Sequence, residues 1–565
     1  MERFARTAWK NIGFLCAAAV LIYCVVHAFD PPRLNWGDSM SDYNVMTSGR
    51  NFQKYGFLNL HLTPLLMDPA YTRSFEPLFV YTHYPQLPDL MNGVLRVFFG
   101  METLTQFRFI ALAFSFSALF FIYRLLEHYW GRPTAQMGLA LWVVNPLWIQ
   151  HADYLHHAPY AAFFGFGSIY FLTRSLNESR RGLLVASGVF LFFTVLASYD
   201  YWFFAPILLA LATMAYYRTI VSWAVVRPLA VLALFAIAGL AFKLGTNAWA
   251  LGGFDAWLHD LRFQFAERAT DKVTRTSYQR GIVPTAYGRT ERYFTILLIP
   301  IALFWALVPV LRRRWKTHFV NAAAALPNPW MLFIAAVPFL YLFVEIWVAQ
   351  YYPGLLVLPF YAVATAALIA VLLSNATTRF LGAFLFAALL LNSVYENSRF
   401  KKAYLELNTI RAMSAQLDSV AGPGQQLLIN HVFDAAYRYY FNRNTLAAAL
   451  FPPRVADVGL ESYADVRRHP RSAGPEGAIF VQHKQVKDEL YDKGYYYILG
   501  RLRLWTLWGN PEKHREFVDE LITERDSTLM AHVNRLGVKL YDAPTYAIWR
   551  ILPPTTASGD SSQPR

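Results

Sequence analysis

The chain has 565 residues, of which 56% are hydrophobic and only 16% charged, a balance that excludes an ordinary water-soluble globular protein of this size. Its formal charge of +14 is divided among short connections, one longer loop and the C-terminal part. A topology signal and attraction to anionic lipid head groups account for such a charge, and nucleic-acid binding is not implied.

Apolar runs begin at once. The first, 12–29, follows Arg3, Arg6 and Lys10, and no small-residue cleavage site follows Ala28-Phe29-Asp30. It is therefore expected to be a retained membrane helix with a cytoplasmic N-terminus. Cys16 and Cys24 lie on it, about 12 Å apart along the axis at 1.5 Å per residue, too far for a disulfide. Further runs cover 104–126, 135–149, 160–173, 183–199, 201–217, 229–244, 293–311, 330–348, 355–373 and 380–394. Most reach the roughly 17 to 25 residues that cross a hydrocarbon core about 30 Å thick. About eleven crossings are expected. The connections that fall on the cytoplasmic side carry Arg132, Arg174, Arg180 and Arg181, Arg218 and Arg227, Arg312-Arg313-Arg314 and Arg379, as the positive-inside bias requires. An odd count places 30–103, 247–292 and everything after about Glu396 on the outer face.

After Ser393 the composition changes to short apolar runs alternating with charged stretches. Strands are predicted over 427–430, 478–481, 495–499 and 546–551, and helices over 433–441 and 511–527. Gly422-Pro423-Gly424 reads as a turn and 553–565 as a disordered tail. The expected fold class is thus a multi-pass α-helical membrane protein, residues 1–395, followed by a small extracytoplasmic α/β domain, 396–552. That domain shows no Gly-rich phosphate loop, and it reads as a lid or interaction module.

Chemistry is concentrated in the first outer loop, where Asn35-Trp36-Gly37-Asp38-Ser39-Met40-Ser41-Asp42-Tyr43-Asn44 runs on through Gly49-Arg50-Asn51-Phe52 to Tyr55-Gly56-Phe57. Two readings of Asp38 and Asp42 are open from the residues alone. They cap the helical segment 43–54, or they take a proton from a hydroxyl acceptor or ligate a divalent cation such as Mg²⁺ or Mn²⁺. Farther on stand Tyr81-Thr82-His83-Tyr84-Pro85-Gln86-Leu87-Pro88 and Phe98-Phe99-Gly100.

This order of a first membrane helix, an acidic residue opening an Arg-containing amphipathic helix that ends in Gly-aromatic, and a His-Tyr-Pro return resembles the GT-C membrane glycosyltransferases. It is most similar to the bacterial branch of aminoarabinose-to-lipid-A transferases and relatives of protein O-mannosyltransferases. The resemblance covers roughly residues 14–217. It implies an inverting transfer from a polyprenyl-phosphate sugar to a lipid, glycan or protein hydroxyl on the outer face of a bacterial inner membrane, with Asp42 as base and Asp38 in reserve. Ser41-Asp42 stands where the family often has Asp-Glu, and Tyr84-Pro85 where Pro-Pro is common.

A second acidic residue is usual before the fourth helix of that family. Here His157 occupies the position, preceded by His156 and by Asp153 four residues earlier. On a continuous helix Asp153 and His157 form an i, i+4 pair, while adjacent His156 and His157 face different ways. Asp200, in Ser198-Tyr199-Asp200-Tyr201-Trp202, is either a group of the site or part of a tight outer turn. The segment 247–292 carries Arg262, Arg268, Lys272, Arg275, Arg280, Arg289 and Arg292. A departing polyprenyl phosphate needs fixed cations, and Arg289 and Arg292, at the return into the membrane, are the candidates together with His83 and Tyr84. A transporter or flippase of a lipid-linked glycan and a membrane scaffold are the competing classes, although the inverted repeats of transporters are not found.

Overall fold

The computed structural model describes residues 11–31, 39–66, 80, 82, 84–219, 222–265, 293–295, 297–314, 317–342, 352–399, 407–422, 425–429, 434–441, 445–447, 478–484, 530–531, 533–535 and 537–551. The chain is mostly helical and divides into two compact units. One comprises Met1–Asp30, Phe52–Pro64 and Tyr81–Lys402, the other Pro31–Asn51, Leu65–Val80 and Ala403–Arg565. The division does not follow the chain, because Pro31–Asn51 and Leu65–Val80 group with the C-terminal residues.

In the first unit, α1 (Ile12–Ala28) packs along α4 (Leu104–Val143), while α2 (Ser39–Tyr55) contributes only its last turn and is followed in the chain by α3 (Leu87–Phe99). Gly13 makes the α1–α4 approach possible. Its N–H donates to Gln136 Oε1 at 3.0 Å, and a Cβ there would stand 2.5 Å from the Gln136 carbonyl oxygen. Helix α3 buries Asp89, Asn92 and Arg96 on one side and ends on Gly100 at φ 62°, a left-handed terminus that glycine supplies without strain. Thr103 and Gln106 then form a reciprocal capping box at the start of α4, satisfying donors that a helix start leaves open.

Helix α4 is broken at Gly131, with φ 80° and ψ 163°. Leu126 Cδ1 lies 3.0 Å from the position of a Cβ on Gly138. Twelve residues of straight helix would separate these groups by about 18 Å, so the arms 104–130 and 132–143 fold back on each other. The chain continues through α5 (Pro146–His151), α6 (His157–Glu178), α7 (Arg181–Ala197), α8 (Tyr201–Tyr217), α9 (Trp223–Ala250), α10 (Phe254–Phe265), α11 (Leu298–Arg314), α12 (His318–Ala324), α13 (Trp330–Leu342), α14 (Leu358–Ser374) and α15 (Arg379–Arg399). Neighbouring pairs are α6 with α7, α7 with α9, α4 with α6 and α14, and α8 with α13.

Among the described residues four helices are long and apolar enough to cross a membrane: Leu104–Val143, Trp223–Ala250, Gly354–Ser374 and Arg379–Ser398. Ile12–Ala28, Arg181–Ala197 and Trp330–Leu340 are apolar and shorter. Phe380, Phe384 and Leu391 on α15 are 82%, 62% and 69% exposed. Large apolar side chains turned outward along a helix need an apolar solvent, which a bilayer supplies.

The second unit is built on a five-stranded sheet in the order β2-β1-β3-β5-β4. Its elements are α16 (Leu407–Val420), β1 (Gln426–Ile429), α17 (Asp434–Phe441), β2 (Thr445–Ala447), β3 (Ala478–His483), β4 (Gly537–Asp542) and β5 (Tyr546–Ile551). β1 runs parallel to β2 and β3, and β5 runs antiparallel to β3 and β4. Alternation sorts the side chains. Leu427, Ile429, Ile479, Val481 and Ile548 form one face, against Ile410, Met413 and Leu417 of α16 and Ala436, Tyr437 and Phe441 of α17. Leu428, Phe480, Ala547 and Trp549 form the other. Tyr43 of α2 is buried in the first of these clusters.

The strands predicted over 427–430, 478–481 and 546–551 correspond to β1, β3 and β5, and the helix over 433–441 to α17. The segments 495–499, 511–527 and 553–565 lie outside the described residues.

Candidate functional site

Four segments of the first unit converge on one buried group of polar side chains. Residues 82–86 enter α3, residues 151–157 join α5 to α6, residues 198–200 join α7 to α8, and the last turns of α9 carry Lys243, Thr246 and Asn247.

Helix α6 begins at His157, not before, and His156 is its N-cap with φ −80° and ψ −140°. Pro159 fits this start, because the first turn of a helix needs no N–H from it. The chain between α5 and α6 is therefore not helical, and Asp153 and His157 do not stand one turn apart on a common helix. Nor do the two histidines diverge: His156 Nδ1 and His157 Nδ1 are 2.7 Å apart, so one ring donates its N–H and the other accepts. The non-helical cap residue turns its ring back over the helix start. Burial, and secondarily the neighbouring His157, push His156 well below the ordinary histidine range, which keeps it neutral.

Tyr84 covers this pair, with its ring stacked on His157 at 5.7 Å between centroids and edge-on to His156 at 4.7 Å. The segment that carries it is fastened from three directions. Lys243 Nζ donates to the Tyr84 carbonyl at 2.7 Å and to Asn247 Oδ1 at 3.2 Å. Tyr199 Oη donates to the Thr82 carbonyl at 3.0 Å, and Thr82 Oγ1 donates to Asp260 Oδ2 at 2.8 Å. Gln86 Nε2 donates to Thr246 Oγ1 at 3.0 Å. Lys243 is fully buried, within electrostatic reach of Asp89 and Asp260, as a charge at this depth requires.

Asp200 closes the group. Its Oδ2 lies 3.9 Å from His157 Nε2, and its Oδ1 accepts the Ser198 hydroxyl at 2.6 Å. Burial lifts the Asp200 carboxyl from its ordinary 3.8 to about 6, and the Ser198 hydroxyl pulls the other way. Asp200 and His157 line a cavity of about 20 Å³ with Ser115, His151, Trp142 and Trp148, room for one water molecule. The indole N–H groups of Trp142 and Trp148 are buried without a hydrogen-bond partner.

The structure thus brings Tyr84, His156, His157 and Asp200 together. Asp153 stands with Arg108 instead, at 4.0 Å between Oδ2 and Nε, and Arg108 Nη1 also donates to the carbonyls of Ala28 and Asp30. Arg108, Lys243, Asp89 and Asp260 are not singled out by the sequence reading, although Lys243 is the lone charge in its apolar run. Asp42 is half-buried in the first turn of α2, within the second unit. Asp38, His83, Arg289 and Arg292 lie outside the described residues. Among the described residues no three His, Cys, Asp or Glu side chains are grouped to hold a metal ion.

No protein-family model and no curated protein sequence matches the chain. Solved structures do. The apo oligosaccharyltransferase of Archaeoglobus fulgidus is similar at a TM-score of 0.51 and 12% identity, over 86% of this chain and 71% of that one. The same organism's oligosaccharyltransferase AglB, in complex with an inhibitory peptide and a dolichol-phosphate, gives 0.50 and 13%, over 86% and 72%. ArnT of Cupriavidus metallidurans bound to undecaprenyl phosphate is similar at 0.39 and 13%, over 96% and 98%. The oligosaccharyltransferases share the fold of this chain.

Proposed function

We propose that this protein is a membrane glycosyltransferase that moves a sugar from a polyprenyl-phosphate donor to a hydroxyl of a lipid, glycan or protein at the outer face of a bacterial inner membrane. The observation that carries this reading is the fold shared with an oligosaccharyltransferase whose structure holds a dolichol-phosphate. The buried ionisable group of the first unit adds support, since charged and titratable groups placed beside apolar helices are costly unless used. About eleven crossings, with Arg-rich inner connections, leave the N-terminus cytoplasmic and residues 396–552 extracytoplasmic.

In the proposed reaction the acceptor oxygen attacks the anomeric carbon while its proton passes to Asp42. The bond from that carbon to the phosphate oxygen breaks, and polyprenyl phosphate leaves with both electrons. Arg289, Arg292 and His83 would neutralise it, Arg by forked hydrogen bonds. Tyr84, His156, His157, Asp153 and Asp200 would line the donor side. For Mg²⁺ or Mn²⁺ no group of three His, Cys, Asp or Glu side chains stands among the described residues.

Purified protein in nanodiscs, given a panel of polyprenyl-phosphate sugars, should release free polyprenyl phosphate in step with glycosylated acceptor. Movement of the lipid-linked sugar across the bilayer with no release would instead establish a flippase.

A further inference from the structure

We infer that the sheet unit is the seat of the first-outer-loop helix: Tyr439, through Tyr43 and Arg50, fixes the turn of α2 that carries Asp42. The inference rests on the reading of Asp42 as the base.

The residues around the sheet hold the helix at Tyr43 and at Arg50. Tyr43, next to Asp42, is 2% exposed and sits among Ile410, Met413, Leu417 and Tyr437. Its ring centroid lies 5.9 Å from that of Tyr439 and 5.7 Å from that of Tyr440. Arg50 follows seven residues later, so it shares the face of Tyr43 two turns along. Its Nη1 donates to the Tyr439 carbonyl at 2.9 Å, and its guanidinium carbon stands 4.0 Å over the Tyr439 ring. The contact serves both partners. Tyr439 is in the last turn of α17, where carbonyls have no partner within the helix and a cation is favoured by the aligned peptide dipoles.

Two anchors about 10 Å apart along one helix set its rotation as well as its position. Asp42 is half-buried beside the inner anchor, so the roll decides where its carboxylate points. Tyr439 is thus a positioning residue, and the sheet unit contributes geometry to the transfer without touching the sugar. Simple packing of an amphipathic helix is the plainer account. It would not require a guanidinium and a tyrosine ring to meet at a helix terminus, since aliphatic contacts stabilise as well.

The test uses full-length protein in nanodiscs and the polyprenyl-phosphate sugar that the release assay identifies. Tyr439→Ala should raise amide hydrogen exchange across 39–51 at least tenfold. It should lower kcat ten- to a hundredfold with KM within about twofold, the scale of an ångström-sized misplacement of a reacting group. Tyr439→Phe keeps the ring and should restore both. Arg50→Gln, made from the other side of the contact, should reproduce the Tyr439→Ala pattern even if the alanine variant does not fold. Unchanged exchange in both variants overturns the seat. Raised exchange with unaltered kcat, or a loss confined to KM, overturns the positioning role. Asp42→Asn, assayed alongside, tests the base separately, because it removes the carboxylate and leaves both anchors and the exchange pattern in place.

Discussion

His157 Nε2 stands 3.9 Å from Asp200 Oδ2, and both side chains are buried. They come from two different connections, 151–157 and 198–200, and meet beside a cavity into which little more than a water molecule fits. A carboxyl so placed has a folded-state value of about 6, above its ordinary 3.8. The folded protein therefore binds more protons than the unfolded chain between those values. Asp200 destabilises the fold fully above about pH 6, and this effect vanishes as pH falls toward 4.

Asp200→Asn keeps the acceptor for Ser198 and removes the charge. At 1.36 kcal/mol per pH unit the gain is about 3 kcal/mol at pH 7.5. The melting temperature in detergent should rise over the parent at pH 7.5, and the difference should close near pH 4. Turnover should fall, the pattern of a group kept at a cost to stability. Equal melting at both pH values would remove the case for a strained carboxylate.

Lys243→Met tests the fastening of the Tyr84 segment. The substitution leaves the Tyr84 carbonyl and Asn247 without their donor and removes the cation facing Asp89 and Asp260. Loss of one partner from such a buried group costs about 3 kcal/mol. Melting should drop by several degrees and polyprenyl-phosphate release should fall, with the amount of protein in the membrane unchanged. A variant that melts like the parent would show that the ammonium does not hold the segment.

Asp42→Asn retains shape and hydrogen bonding but takes up no proton. Release of polyprenyl phosphate should fall about a hundredfold or more, the usual effect of losing a general base. Asp38→Asn should do little. Near-normal turnover in Asp42→Asn with loss in Asp38→Asn would transfer the role, and normal turnover in both would remove the base from this loop altogether.

Gly13→Ala places a methyl 2.5 Å from the Gln136 carbonyl oxygen, backbone that cannot swing aside. Helix α1 must move off α4, at about 1 to 3 kcal/mol for overpacking. Lower melting with an intact Asp42-dependent reaction is expected, and comparison with Gly182→Ala, where nothing stands within 4 Å, supplies the control.

Much of the fold is legible in the sequence because its signals are local. Apolar runs announce the helices, and period-two runs announce β1, β3 and β5. β2 has only three residues, Thr445–Ala447, too few to show a period. β4 is an edge strand with an irregularity between Lys539 and Tyr541, which destroys its alternation. In the site, His156, His157 and Asp200 interrupt apolar runs and draw notice for that reason. Lys243 is the lone charge of its apolar run, but its partner, the Tyr84 carbonyl, lies 159 residues away, and the run does not reveal it. The pairing of Asp153 with His157 fails for a related reason. Spacing assumes a continuous helix, and the chain breaks there.

The contact between Arg50 and Tyr439 joins residues 389 positions apart. In the sheet that α17 packs against, the strand flanked by β3 and β4, Tyr546–Ile551, comes last in the sequence among the described strands. During synthesis the helix bearing Asp42 is made before every described helix from Leu87 to Arg399, yet the surface that receives it is made after them. Every membrane helix must insert in the meantime. The protein therefore matures in two stages, insertion first and seating afterwards. A chain released early, even one that has laid down all of its membrane helices, would lack the strand that completes the sheet and would leave its candidate base unseated.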